Sequence, residues 1–301
     1  MSSHFSGRRA FRAASALTLS LGAGLAAPLL AAGSAGAATP SATAGLSDNA
    51  IVYTAAAGQA NKVTVTSSLT DGNTKVTYVI DDVVPITAGD GCTYPTSTDH
   101  TKVSCAAPML DTEDPYATLE LALGDGDDAV TYANGTNQAY YFARFDLGDG
   151  KDTYTETGKV QGNDVLGGAG DDTLTVSSYT VALGGDDNDT IHAGADTIVQ
   201  GGNGNDTVDA SGAGSNVDGG AGNDVINGGD GRQDLSGGDG NDKIYGGKGD
   251  DFLYGGKGDD ILYGNSGNDT IYGNSGNDGV YGGPGTDTLS GGPGTNIVHQ
   301  D

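Results

Sequence analysis

The sequence predicts an all-β chain: a β-solenoid of very short strands wound into a flattened coil, preceded by a small β-strand cap. Three observations carry that expectation. Nine consecutive nine-residue blocks run without a gap from Gly219 to His299. Glycine supplies 54 of the 301 residues, more than double its usual share of about 7%. That leaves too little side-chain volume for a packed α/β core over most of the length. Finally, 40 acidic residues face only 13 Lys and Arg, a formal net charge of −27. Such a balance reads as disorder unless an external ligand contributes what the core does not.

Taken in order, residues 1–37 read as an export signal. Arg8, Arg9 and Arg12 form the positive start, Ala13 to Ala32 the apolar stretch, and Ala35-Gly36-Ala37 the cleavage site. Gly22, Gly24 and Pro28 interrupt the apolar run, so a membrane anchor is not expected, and nothing later is apolar enough to span a bilayer. Removing the three arginines leaves 10 basic and 40 acidic residues, 10 − 40 = −30. The product is expected to be secreted and extracellular. Arg8-Arg9-Ala10-Phe11 also resembles the twin-arginine signal, which exports folded proteins. A chain that folds only outside the cell suits the general secretory route, and the two readings stay open. Residues 38–47, rich in Ala, Ser, Thr and Pro, are expected to be a flexible leader.

Residues 48–123 read as a small β domain or solenoid cap. Ile51-Val52-Tyr53, Val63-Thr64-Val65, Val76 to Ile80 and Leu119-Glu120-Leu121 alternate with the period of two that marks strands. Asp71-Gly72-Asn73 and Ala88 to Gly91 are turn signals between them. Cys92 and Cys105 are expected to form one disulfide in an oxidising exterior, contributing about 3 kcal/mol by the chain-entropy argument. The alternative, a two-Cys metal site, has no His within three residues to complete it.

The periodic part divides into a degenerate stretch, 124–200, and a regular one, 201–301. Representative regular blocks are GGAGNDVIN from Gly219, GGDGNDKIY from Gly237, GGKGDDILY from Gly255 and GNSGNDTIY from Gly264. Two further blocks precede them in register, GGNGNDTVD from Gly201 and the degenerate ASGAGSNVD from Ala210, and looser copies start at Leu123, Leu147, Gly167 and Gly184. Position eight is aliphatic in all nine consecutive blocks, from Ile226 to Val298, the mark of a very short strand with one inward residue. A strand of about three residues and a turn of about six would make half a coil, so eighteen residues complete a circuit. Position six is Asp in seven of the nine blocks. Strands stack about 4.8 Å apart. Unit charges at ~4.8 Å repel by roughly 3.5 kcal/mol at an effective dielectric of 20. A hard divalent cation between turns reverses that sign, and oxygen-only ligands suit calcium better than magnesium.

These blocks resemble the repeats-in-toxin (RTX) nonapeptide G-G-x-G-x-D-x-U-x. The whole chain resembles the secreted calcium-binding proteins of high-GC Gram-positive bacteria, in which a segment similar to Tyr53–Asn61 and a two-Cys loop precede the repeats. The resemblance implies a right-handed parallel β-roll holding Ca2+ between turns on each edge. It implies pairs eighteen residues apart: Asp206 with Asp224, Asp224 with Asp242, Asp242 with Asp260, and Asp260 with Asp278 on one edge. On the other it implies Asp251 with Asp269 and Asp269 with Asp287. That makes six sites, and about six or more ions. Gln233 and Asn296 keep an oxygen but not the charge, so their sites should be weak, and Ser215 lacks the carboxylate. Asp172, Asp189 and Asp206 are 17 apart, one short of register, and sites there stay open. The turns around Asp128 and Asp152 are expected to hold no metal. One departure is the N-terminal signal, which RTX toxins lack.

Chemistry of other kinds finds no foothold. The four histidines are isolated, and no H-E-x-x-H, G-x-S-x-G or Walker pattern occurs. The charge excludes nucleic acid and anionic membrane as electrostatic partners. The expected function is therefore calcium-ion binding coupled to folding, without enzymatic activity. The alternatives are the RTX tail of an extracellular hydrolase or haemolysin-like toxin, or a surface adhesin. For the adhesin, Tyr245, Tyr254, Tyr263, Tyr272 and Tyr281 would form two outward ladders, with same-face stacking as the plainer reading. No particular protein or glycan partner is legible.

Overall fold

A computed structural model describes residues 41–110, 116–136, 141–158 and 162–300. The expected export signal, 1–37, and residues 38–40 of the leader lie outside the described residues. The first strands are β1 (Ala42–Ser47), β2 (Ala50–Thr54), β3 (Lys62–Thr70), β4 (Lys75–Asp81), β5 (Ile86–Ala88), β6 (Cys92–Thr93), β7 (Lys102–Pro108), β8 (Tyr116–Ala122) and β9 (Ala129–Asn134). From β8 onward, successive strands alternate between two sheets and pair in parallel with the strand two places away. Among the described residues the protein is all-β, a parallel β-roll.

The expected leader is partly corrected. Ala42–Ser47 is ordered as β1, antiparallel to β2. The alternation Ala42, Ala44 buries small side chains completely or nearly so, which a composition of Ala, Ser and Thr conceals. The cap strands continue the same two sheets. β2 pairs in parallel with β8, and β3 with β9. Antiparallel additions, β3 to β4 to β7 to β6, then close one sheet's end. Cys92 and Cys105 face each other across β6 and β7 and form the disulfide.

The regular coil advances eighteen residues per circuit: Val217 pairs with Leu235, and Leu235 with Leu253. The strands are longer than the block pattern predicts. Lys243–Lys248 and Ile261–Ser266 each run six residues, through the paired glycine positions into position three. Gly backbone stays in the ladder because the neighbouring turn offers identical glycines as partners, such as Gly238 beside Gly256. Only positions four to six remain as the turn.

Position eight forms the spine of the core. Ile226, Leu235, Ile244, Leu253, Leu262, Ile271 and Val280 are fully buried, each contributing about 1.5–3 kcal/mol. Toward the cap the circuits widen: Phe145 pairs with Val165, and Leu121 with Phe145. Larger side chains fill them: Phe145 packs between Tyr132 and Tyr154 at centroid distances of 5.1 and 4.9 Å. Shorter circuits, one residue below the regular advance, occur where Val165 pairs with Ala182 and Ala182 with Val199. The missing residue is taken from the turn opposite the aspartates, where Tyr179 and Asp196 adopt left-handed φ of 65° and 55°.

Outside, Tyr263 stacks between Tyr245 and Tyr281 at 5.1 and 5.0 Å, His299 extends that ladder, and Tyr254 stacks on Tyr272 at 5.6 Å. Each neighbouring pair contributes about 0.2–1 kcal/mol. Tyr263→Ser should therefore cost only ~0.4–2 kcal/mol, read as a small fall in the thermal midpoint. A loss well above that range would show the ladder to be a principal support of the roll.

Candidate metal centre

Position six builds a continuous ladder along one edge. The N–H of each residue donates to the Oδ1 of the carboxylate one turn later. The donations run from Asp172 to Asp189 (2.9 Å), Asp189 to Asp206 (2.8 Å), Asp206 to Asp224 (2.8 Å), Asp224 to Asp242 (2.8 Å), Asp242 to Asp260 (2.9 Å) and Asp260 to Asp278 (3.0 Å). Asp278 donates in turn to the Asn296 side chain. On the opposite edge Gln233 donates to Asp251, Asp251 to Asp269, and Asp269 to Asp287. Asp206, Asp224, Asp242, Asp260 and Asp278 thus share one edge and Asp251, Asp269 and Asp287 the other, with the neighbours that the resemblance implies, and Asp172 and Asp189 join the first edge. The shortened steps at Asp172, Asp189 and Asp206 stay in register because the deletion lies across the coil.

The second carboxylate oxygen is the unusual feature. Oδ2 of Asp172, Asp189, Asp206, Asp224, Asp242, Asp251, Asp260, Asp269 and Asp278 is buried and has no hydrogen-bond partner. Burying one unpartnered polar group costs about 1–3 kcal/mol, more when charged. A row of them is not a stable resting arrangement for anions. Asp287, in the last turns, is half-buried and accepts from Gln300 Nε2 at 2.7 Å.

The space beside each Oδ2 is kept open by the position-one glycine. A Cβ on Gly219 would collide with Asp224 Oδ2, and it would also crowd the Gly237 carbonyl oxygen of the next turn. Gly237, Gly255 and Gly264 repeat the arrangement with Asp242, Asp260 and Asp269. Carboxylate and carbonyl oxygens thus converge where no side chain can intrude, a donor set suited to a hard cation. Among the described residues no three His, Cys, Asp or Glu side chains gather at one point.

Electrostatics follow the burial. Asp189, Asp224 and Asp260 are pushed from 3.8 up to about 7, and Asp172 and Asp251 to about 6. Asp206, Asp242 and Asp269 move in the same direction. Burial is the largest cause, and the donated N–H acts against it. For Asp224 the carboxylates of Asp206 and Asp242 raise it further.

Sequence reasoning missed two things. Asp128 and Asp152, expected to sit in plain turns, stand in the same ladder. Asp128 N–H donates to Asp152 Oδ1 and Asp152 N–H to Asp172 Oδ1, and both have a buried Oδ2 without a partner. Position five forms a second, exposed ladder running the other way, Asn205 N–H to Asn188, Asn223 to Asn205, Asn241 to Asn223 and Asp259 to Asn241. The signal was present as the Asn or Asp that fills position five in most blocks.

Residues 161–177, 200–232, 227–262, 236–271 and 263–298 match the RTX calcium-binding nonapeptide repeat, four copies to a unit. No curated protein matches the chain.

Proposed function

The chain carries RTX calcium-binding nonapeptide repeats, and from that premise we propose a secreted, non-enzymatic calcium-binding protein whose roll folds as it takes up Ca2+ between successive turns. The single observation that carries this is the row of buried, unpartnered Oδ2 atoms. The residues proposed to hold the ions are the pairs Asp206/Asp224, Asp224/Asp242, Asp242/Asp260, Asp260/Asp278, Asp251/Asp269 and Asp269/Asp287. Asp172/Asp189 and Asp189/Asp206 join them on the same geometry. Calcium, when bound, supplies positive charge against carboxylates that otherwise repel one another.

The protein's own part is orientation. Each Oδ1 is held by the N–H of the turn before, so Oδ2 is aimed before any ion arrives. The position-one glycines withhold side chains, and their carbonyls complete the shell. Extracellular calcium modules bind with constants of about 10⁻⁴–10⁻³ M. At tenfold excess each independent site adds ~1.4 kcal/mol. Six sites then add roughly 8 kcal/mol, comparable with the whole stability of a domain. A chain so loaded with acid would stay unfolded where calcium is scarce and order itself outside the cell. The disulfide and the excess of acid support that location.

Circular dichroism and calorimetry of the secreted chain test the reading. In EDTA the strand signal should be small. It should rise to a plateau by about 5 mM calcium, roughly ten times the mid-range constant, with about six or more ions bound. A spectrum indifferent to calcium, with no binding heat, would sink it.

A further inference from the structure

We propose that the ligand ladder continues beyond the recognisable repeats, through Asp152 and Asp128, and ends on Asn61 of the cap. There it forms sites for a hard divalent cation that clamp the cap to the roll. The proposal rests on the calcium reading above and extends it to residues outside every repeat match, which begin at residue 161.

Three observations carry it. First, Asn61 occupies the place of a rung. Its N–H donates to Asp128 Oδ1 at 2.5 Å, as each aspartate does to the next. Its side chain is fixed by the cap: Nδ2 donates to Asp82 Oδ2 at 2.6 Å, and the same oxygen accepts from Tyr53 Oη at 2.5 Å. Lys62 N–H and Val83 N–H complete the Asp82 shell. With its amide nitrogen so engaged, Asn61 Oδ1 is left buried and without a partner.

Second, Asp128 and Asp152 are 2% and 1% exposed, and the Oδ2 of each is likewise unpartnered. Three buried acceptor oxygens therefore succeed one another with no donor to satisfy them. Asp82, fully bonded, cannot supply one.

Third, the turns carrying these residues have the backbone of the regular turns. Gly124 and Gly126 have φ of 91° and 131°, Gly148 and Gly150 of 103° and 154°, against 112° and 138° at Gly220 and Gly222. Gly126 N–H donates to the Asp149 carbonyl and Gly150 N–H to the Ala169 carbonyl, as Gly222 N–H does to that of Asp239. One feature differs. Position one is Leu123 or Leu147, both buried, so these sites have a hydrocarbon wall on the core side where the regular ones have glycine. The circuits there are also longer, 24 residues from Leu121 to Phe145 and 20 from Phe145 to Val165, against eighteen in the regular coil.

The consequence is a mechanical one. Asn61 is held by Tyr53 of β2 and by Asp82 just after β4. A cation shared by Asn61 and Asp128 therefore ties three segments of the cap to the first turn of the roll.

The test compares the full secreted chain with its Asp128→Asn/Asp152→Asn variant. Asn keeps the oxygen that accepts the N–H, so a purely structural role survives the change. Bound calcium is counted by equilibrium dialysis, and amide hydrogen exchange is read at Asn61 and through β2 and β3. The expected result is a count lower by at least one ion. Cap amides should exchange at least tenfold faster in calcium while residues 219–281 stay protected. An unchanged count, with the native chain binding calcium, overturns this inference and leaves the calcium reading intact. A native chain that binds no calcium overturns both. If the double variant fails to gain strand signal in calcium, Asp152→Asn alone is counted. A lower count supports the inference, and an equal count overturns it.

Discussion

At pH 8 the chain is expected to melt far lower in chelator than in calcium, and the gap is expected to close as the pH falls toward about 4.5. The sign follows from the carboxyls themselves. In the folded state without metal, Asp189, Asp224 and Asp260 titrate at about 7 instead of 3.8. A carboxyl whose folded value is raised penalises the fold fully above that value. The penalty shrinks through the window between about 7 and 3.8, and it is gone below. Holding one such group charged costs on the order of 4 kcal/mol. Even a quarter of that, repeated along the ladder, rivals a domain's stability of about 5–15 kcal/mol. Protonation therefore rescues the metal-free fold. The calcium-loaded fold behaves oppositely, because its carboxylates must be ionised to bind, and protons displace the ion through the same window. Thermal melts across the range, with and without chelator, read both limbs. Midpoints separated by the same interval at pH 8 and at about 4.5 would remove the carboxylates from the explanation.

Gly240→Ala is expected to cost about 3–5 kcal/mol even in saturating calcium, a fall in midpoint of roughly 6–20 °C. Gly240 has φ of 138°, a region that L-residues enter at about 1–3 kcal/mol. Strain is the smaller part. A Cβ there would stand on the Gly222 carbonyl of the turn before, so the turns must part, and Gly240 N–H would lose the Lys257 carbonyl at 2.7 Å. Gly58→Ala is the control. Gly58 also has positive φ, 71°, but nothing lies within 4 Å of a Cβ built on it. That change should cost only the strain, about 1–3 kcal/mol. Equal losses at the two positions would show that turn stacking contributes little.

The roll was legible because its information is columnar. One aliphatic residue in every nine fixes the inward face, one carboxylate in every nine fixes the edge, and an eighteen-residue circuit follows from both. The nominated aspartates fell on their predicted edges for that reason. The place of Asp128 and Asp152 in the ladder was not legible because their neighbours are 24 and 20 residues away. A ladder is defined in space, and period counting fails once the circuits widen to hold Phe145 and Tyr154. Strand length was underestimated because glycine scores as a breaker. Here it pairs with its own copy in the adjoining turn, and the backbone ladder needs no side chain. β1 was hidden by a composition of Ala, Ser and Thr that a leader and a strand share. Asn61 lies in the Tyr53–Asn61 segment of the resemblance, but no periodicity ties it to the ladder. Its place depends on Asp82 and Tyr53, which only the folded cap brings together.

The two long sides of the roll differ in charge. One is an unbroken file of acids from Asp128 to Asp278. The other, between Asn163 and Gln233, is stitched mostly by amides and hydroxyls: Asn163 takes the Ala143 N–H, Asn163 and Thr180 donate to the buried Glu156 carboxylate, Thr197 and Ser215 share a hydroxyl bond, and Gln233 reaches the Gly212 carbonyl. Without calcium, the like-charge repulsion in the middle turns falls mainly on the acidic flank, and that flank drives the unfolding of the whole roll.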